Sequence, residues 1–233
     1  MKTMRATSGP FTERIYYPEQ EIESICSDEL ASVGLLPPTP GPVRIERFIE
    51  KRFKVTHSYE ELGDGILGLT RFTRNGVAEV VVSRRLELEG TQVSERRVRS
   101  TLAHEGGHCL LHAHLFALMP QQSLFESSPT SEEQSKVLCR GDLEANRATY
   151  SGEWWEYQAN RAIGSLLMPR QLTESALRPF MIDIGKQGFL VFDRSRTEEA
   201  ARGLAETFGV NPAVSRLRIS QIFPMKSEDQ LTF

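Results

Sequence analysis

Two histidines four residues apart, His104 and His108, with Glu105 beside the first and two glycines between them, constrain this chain more than any other stretch. On a helix, four residues advance ~6 Å and rotate only ~40°, so both imidazoles point the same way. The spacing H-E-x-x-H then lets two neutral ring nitrogens grip one Zn²⁺ at ~2.0–2.1 Å. Glu105 is offset, so it reaches water at the ion rather than the ion itself. Such an ion lowers the pKa of its water toward ~7, and the carboxylate accepts the proton as general base.

The flanks extend the same helix. Ser94 reads as its N-cap with Glu95 in the first turn, and the periodicity runs on to Leu118. Val98, Leu102, Cys109, Ala113 and Phe116 form a stripe opposite the histidines, and Leu111 and Leu115 flank the histidine side, so burial nearly all round is expected. Gly106 and Gly107 should each cost ~1 kcal/mol relative to alanine. A broken local rule of this kind marks a functional or tightly packed site. The plainer alternative is a core helix whose histidines only hydrogen-bond to neighbours.

A catalytic zinc takes three protein ligands and leaves one position for water. Glu156 is the best third ligand, because its helical face continues through Asn160, Ile163 and Leu167 and a carboxylate above that apolar floor needs a cation. Glu153, Glu144 and Asp142 compete with it. His112 lies eight residues beyond His104, ~12 Å along the axis, too far to share the ion. His112, Tyr157 and Asn160 are assigned instead as groups that support a ligand or touch substrate.

The rest of the chain sets the fold class. A length of 233 residues suits one compact domain, and a net charge of −3 gives no global case for nucleic acid or membrane binding. Three scattered cysteines make no disulfide framework. No cationic start leads into an apolar run, and the apolar stretch near His112 is too short to span a bilayer, so a cytoplasmic chain is expected. Residues 1–18 are expected to be loosely ordered. A helix follows over 19–33, then the stiff Leu36–Pro42 linker and a helix over 43–53. Strands are expected at 54–59 and 65–73, and Asn75-Gly76 turns the latter into a hairpin partner at 77–83. Residues 119–136 form a polar loop, 136–149 are ambiguous, and 153–167 is a helix closed by Met168-Pro169. Shorter elements follow at 171–180 and 189–192, a helix pair at 197–219, and a frayed tail at 223–233. The class is α+β: a small antiparallel sheet packed against a helical core that carries the histidines.

The stretches HEGGHCLLH (His104–His112) and EYQANRAIGSLLMP (Glu156–Pro169) together resemble the ImmA/IrrE family of zinc metallopeptidases, whose usual forms are close to H-E-x-G-H-x-L-L-H and E-x-x-A-N-x-F-A-x-x-L-L-M-P. The resemblance implies a zincin-like core over residues 19–222, one zinc on His104, His108 and Glu156, Glu105 as catalytic base, and a helix-turn-helix transcriptional repressor as substrate. Gly106 departs from the pattern where a bulky aliphatic is usual, as does Arg161-Ala162-Ile163-Gly164 in place of x-F-A-x. The interval from His108 to Glu156 is also long. For the oxyanion, Tyr150, Tyr157, His112 and nearby arginines are candidates. The strand 77–83 is a candidate sheet edge for an extended substrate.

Two other classes stay open. Residues 199–219 can be read as a DNA-binding helix-turn-helix with Arg216 and Arg218 on its second helix, or simply as a pair packed on the body. The chain could also keep a zinc site and act by binding a regulatory partner without cutting it.

Overall fold

The computed structural model describes residues 2–5, 13–73, 75–117, 135–140, 154–183 and 190–224. The histidine-bearing helix α4 (Gln92–Leu111) lies at the centre and is buried on every side from Ser100 to Cys109. On one side it packs on α6 (Trp154–Leu167), on another on strand β4 (Ile66–Thr73), and α2 (Ile45–Phe53) covers a third. α1 (Glu19–Ser32) backs α6, as does α9 (Pro212–Ile222), which pairs with α8 (Thr197–Phe208).

The start of α4 lies a turn earlier than the sequence suggests. Thr91 is the N-cap and accepts from the Ser94 amide, while the Ser94 hydroxyl accepts from the Thr91 amide. This reciprocal box satisfies two of the amides that a helix start leaves without partners, so Ser94 is the third helical residue and not the cap. The helix breaks at His112, and a short helix α5 (Ala113–Ala117) follows in place of a continuous run to Leu118.

Strand β5 (Gly76–Ser83) folds back on β4 from a turn in which Gly76 holds φ +111°, a region closed to most side chains. Its far side, however, is taken by β3 (Ser58–Glu60), which runs parallel to it with Tyr59 opposite Val82. The sheet order is β3-β5-β4-β6, with β6 (Ser135–Arg140) antiparallel to β4. The sheet is therefore mixed rather than antiparallel throughout. The expected edge at 77–83 is an interior strand, with β3 and β6 outermost among the described strands. β6 also falls partly inside the stretch expected to be a polar loop. A short hairpin, α7 (Arg170–Ala176) leading into β7 (Met181–Asp183) and β8 (Leu190–Phe192), completes the chain before α8.

Residues 1–18, expected to be loosely ordered, contain an antiparallel pair, β1 (Lys2–Arg5) and β2 (Glu13–Tyr16). The pair is seated by a small apolar cluster of Ile15, Phe72, Leu115 and Trp154. No helix among the described residues is long and apolar enough to cross a membrane.

The two glycines of α4 are where it meets its neighbours. A Cβ on Gly107 would lie 2.8 Å from the Ala162 Cβ and 3.1 Å from the Ala159 Cα, so α4 and α6 touch backbone to backbone. A Cβ on Gly106 would meet the Ile49 side chain at 3.2 Å, so Ile49 fills the volume that a bulky aliphatic at 106 would take. Gly164, on α6, leaves room for Arg218: a Cβ there would lie 3.0 Å from the Arg218 Cδ. Arg218 is 1% exposed and forms a bidentate pair with Glu23 while donating to the Met168 carbonyl. The departure at Gly106 is thus compensated by a side chain from α2.

These contacts predict opposite outcomes for adjacent substitutions. Gly106→Ala gains ~1 kcal/mol of helix propensity and displaces only the tip of Ile49, so urea unfolding should show stability unchanged or raised. Gly107→Ala should instead lose stability, because overpacking against an immovable backbone costs about 1–3 kcal/mol and exceeds the same propensity gain.

Candidate metal centre

One turn of α4 separates His104 from His108, and α6 crosses opposite them with Glu156 in its first turn. The two Nε2 atoms lie 2.9 Å apart. Glu156 Oε2 is 3.1 Å from His104 Nε2, and its Oε1 is 3.3 Å from His108 Nε2. Both rings are buried and the carboxylate is 16% exposed, so the three atoms converge where little water competes. Such a group could hold a metal ion.

The hydrogen bonds behind the rings determine what these three atoms present. Gln158 donates through Nε2 to the Ile15 carbonyl at 2.8 Å, which leaves its Oε1 facing His112 Nε2 at 3.0 Å. A carbonyl oxygen only accepts, so His112 Nε2 carries a proton. Burial pushes both His112 and His108 down from the ordinary imidazole value, so both are neutral at pH 7. A neutral His112 then offers a lone pair at Nδ1, and the proton in its 3.0 Å contact with His108 Nδ1 belongs to His108. His108 is left with a lone pair at Nε2. On the other ring, Nδ1 of His104 donates to Asn160 Oδ1 at 3.0 Å, which leaves its Nε2 to face the same point.

With His104 neutral as well, three acceptors meet within hydrogen-bond distance. One shared proton can relieve a single contact and leaves the others repulsive; a divalent cation relieves all of them together. The separations suit the second solution, since ligands ~2.0–2.1 Å from a tetrahedral ion lie roughly 3.3 Å from one another. Burial alone would raise the Glu156 carboxyl, but N–H donation from whichever ring carries a proton outweighs it and holds the group well below the usual carboxylate range. Any proton in the cluster thus resides on a ring nitrogen, and Glu156 stays an anion.

Glu105 is fully buried beside His104, and its Oε2 accepts from the Thr70 hydroxyl of β4 at 2.7 Å. Helix and strand approach closely here: a Cβ on Gly68 would lie 2.4 Å from the Thr101 Cγ2 and 3.1 Å from Glu105 Oε1. Asn160 and His112 hold the His104 and His108 rings through the hydrogen bonds above. Tyr157 is 45% exposed, and its hydroxyl accepts from Arg161 at 3.0 Å, so it faces outward rather than toward the ligand atoms. Asp142, Glu144, Tyr150 and Glu153 lie outside the described residues. Arg218 is held in the core by Glu23, and Arg216 pairs with Glu198, so the helix-turn-helix reading loses Arg218 as a phosphate contact and finds Arg216 already occupied.

Sequence reasoning missed Gln158 and Thr70. At 100° per residue, Gln158 is turned 200° from Glu156 on the helical wheel, so no ligand-face periodicity marks it. Thr70 sits in an apolar strand, where alternation shows that it is inward but not what it holds. No family model matches the chain, and no curated protein matches it.

If the three acceptors bind one divalent ion, zinc at ~100 times its Kd should raise unfolding stability by about 2.7 kcal/mol. The gain, read as the shift in urea midpoint with and without zinc, should vanish in His108→Ala and Glu156→Gln. An equal gain in both variants would place the ion elsewhere.

Proposed function

We propose that this chain is a zinc-dependent endopeptidase with a zincin-like core, and that its substrate is a helix-turn-helix transcriptional repressor. The observation that carries the peptidase reading is the convergence of His104 Nε2, His108 Nε2 and the Glu156 carboxylate, with a buried carboxylate on the residue beside the first ligand. The substrate class rests on the likeness of HEGGHCLLH and EYQANRAIGSLLMP to the ImmA/IrrE family. Zinc is the default for a donor set of two imidazoles and one carboxylate, and a cytoplasmic location goes with a repressor as target.

A divalent ion held by these residues supplies Lewis acidity toward water and toward a peptide carbonyl. The chain supplies the rest. His104 and His108, each tied from behind, keep their Nε2 atoms aimed at one point. Glu156 adds the negative charge that balances the ion, from a position largely closed to water. Glu105 takes the proton from water as the carbonyl is attacked and delivers it to the departing amine, so the peptide C–N bond breaks as the C–O bond forms and one water is consumed. Thr70 fixes the rotation of the Glu105 carboxylate during both transfers. Among the described strands, β3 and β6 rather than β5 lie at the edges of the sheet, where an extended substrate could pair.

Co-expression with the repressor encoded nearest to this chain, followed by mass analysis, tests the reading. Wild type should yield a discrete fragment that disappears with a chelator. Glu105→Gln should bind zinc as wild type does and yield none, and Thr70→Val should slow cutting with metal content unchanged. An intact repressor in the presence of metal-loaded wild type would favour a partner-binding role without proteolysis.

A further inference from the structure

We propose that Gln158 is a positioning residue of the metal centre, and that the N-terminal hairpin, through the Ile15 carbonyl, sets the proton arrangement that leaves His108 Nε2 open to a cation. This rests on the reading that His104, His108 and Glu156 hold a divalent ion. The relay runs from Ile15 O to Gln158, to His112, to His108, in three contacts of 2.8, 3.0 and 3.0 Å. All four residues are buried, so water does not substitute for a missing link.

The direction of the relay is fixed at its outer end. The Ile15 carbonyl can only accept, so the Gln158 amide is oriented with its NH₂ group toward the hairpin and its oxygen toward His112. Without that oxygen, nothing in the relay holds the His112 proton at Nε2. The other neutral form of His112 would place its proton on Nδ1, against His108 Nδ1. His108 would then carry its own proton at Nε2, in the position a cation needs. The amide of Gln158 therefore selects the metal-accepting form of a ligand it never touches.

The hairpin enters because Ile15 belongs to β2, outside the helical body. Ile15 also packs with Trp154, whose ring meets His112 edge-on at 5.6 Å and 79°. Seating of the hairpin and occupancy of the centre are thus linked, and the linkage is reciprocal: an ion bound at His108 tightens the hairpin.

Three measurements on the full chain test this. In competition with a chromophoric chelator, Gln158→Met should bind zinc about 10–100-fold more weakly than wild type. Side-chain ¹⁵N spectra of the metal-free wild type should show His112 protonated at Nε2 and His108 at Nδ1. Zinc should slow amide exchange in β1 and β2 of wild type but not of Gln158→Met. Wild-type zinc affinity and ring protonation in Gln158→Met would overturn the proposal. If that variant does not fold, a wild-type His112 protonated at Nδ1 overturns it on its own. Failure of wild type to take up zinc would strike the metal reading instead, while the ring spectrum of the metal-free chain still decides the relay.

Discussion

Three hydrogen-bond acceptors pointed at one another are the constraint on which the rest of this structure turns. Left alone they repel, and burial removes the water that would separate them. The fold nevertheless holds them there with some thoroughness. Asn160 ties one ring, His112 and Gln158 tie the other, and the α4–α6 contact is so close that Gly107 has no room for a methyl group. A group held this way could take a metal ion, which would relieve the repulsion.

The surrounding architecture follows from bringing α6 against α4. Small residues at the crossing, Gly107, Ala159 and Ala162, let the axes approach, and the ligand side chains then meet without stretching. The sheet contributes a second close approach, where Gly68 lets β4 come near enough for Thr70 to reach Glu105. On the far side of α6, Gly164 makes room for the buried Arg218–Glu23 pair that binds α9 to α1. Gly107 marks a place where two elements touch at backbone distance, while Gly68 and Gly164 leave room for side chains of a neighbouring helix.

Much of this was legible in the sequence where a feature is local. The spacing of His104 and His108 put both rings on one face, Asn75-Gly76 announced its hairpin, and Glu156 was singled out because a carboxylate over an apolar floor lacks another cause. Non-local features were not legible. β3 pairs parallel to β5, a neighbour it does not follow in the chain, and this turned an expected edge into an interior strand. Strands β1 and β2 are polar apart from Met4, Ile15 and Tyr16, so their docking through the buried Ile15 side chain and its carbonyl left no periodic signal. Ser94 is a good cap by type, and only the pairing with Thr91 shows that it serves from the third helical position.

The most direct test is X-ray absorption at the zinc K edge of the chain loaded with one equivalent of zinc. Two imidazoles and a low total coordination completed by oxygen are predicted, with one imidazole lost in His108→Ala. A six-oxygen shell, sulfur in the shell, or a spectrum that His108→Ala leaves unchanged would contradict the account.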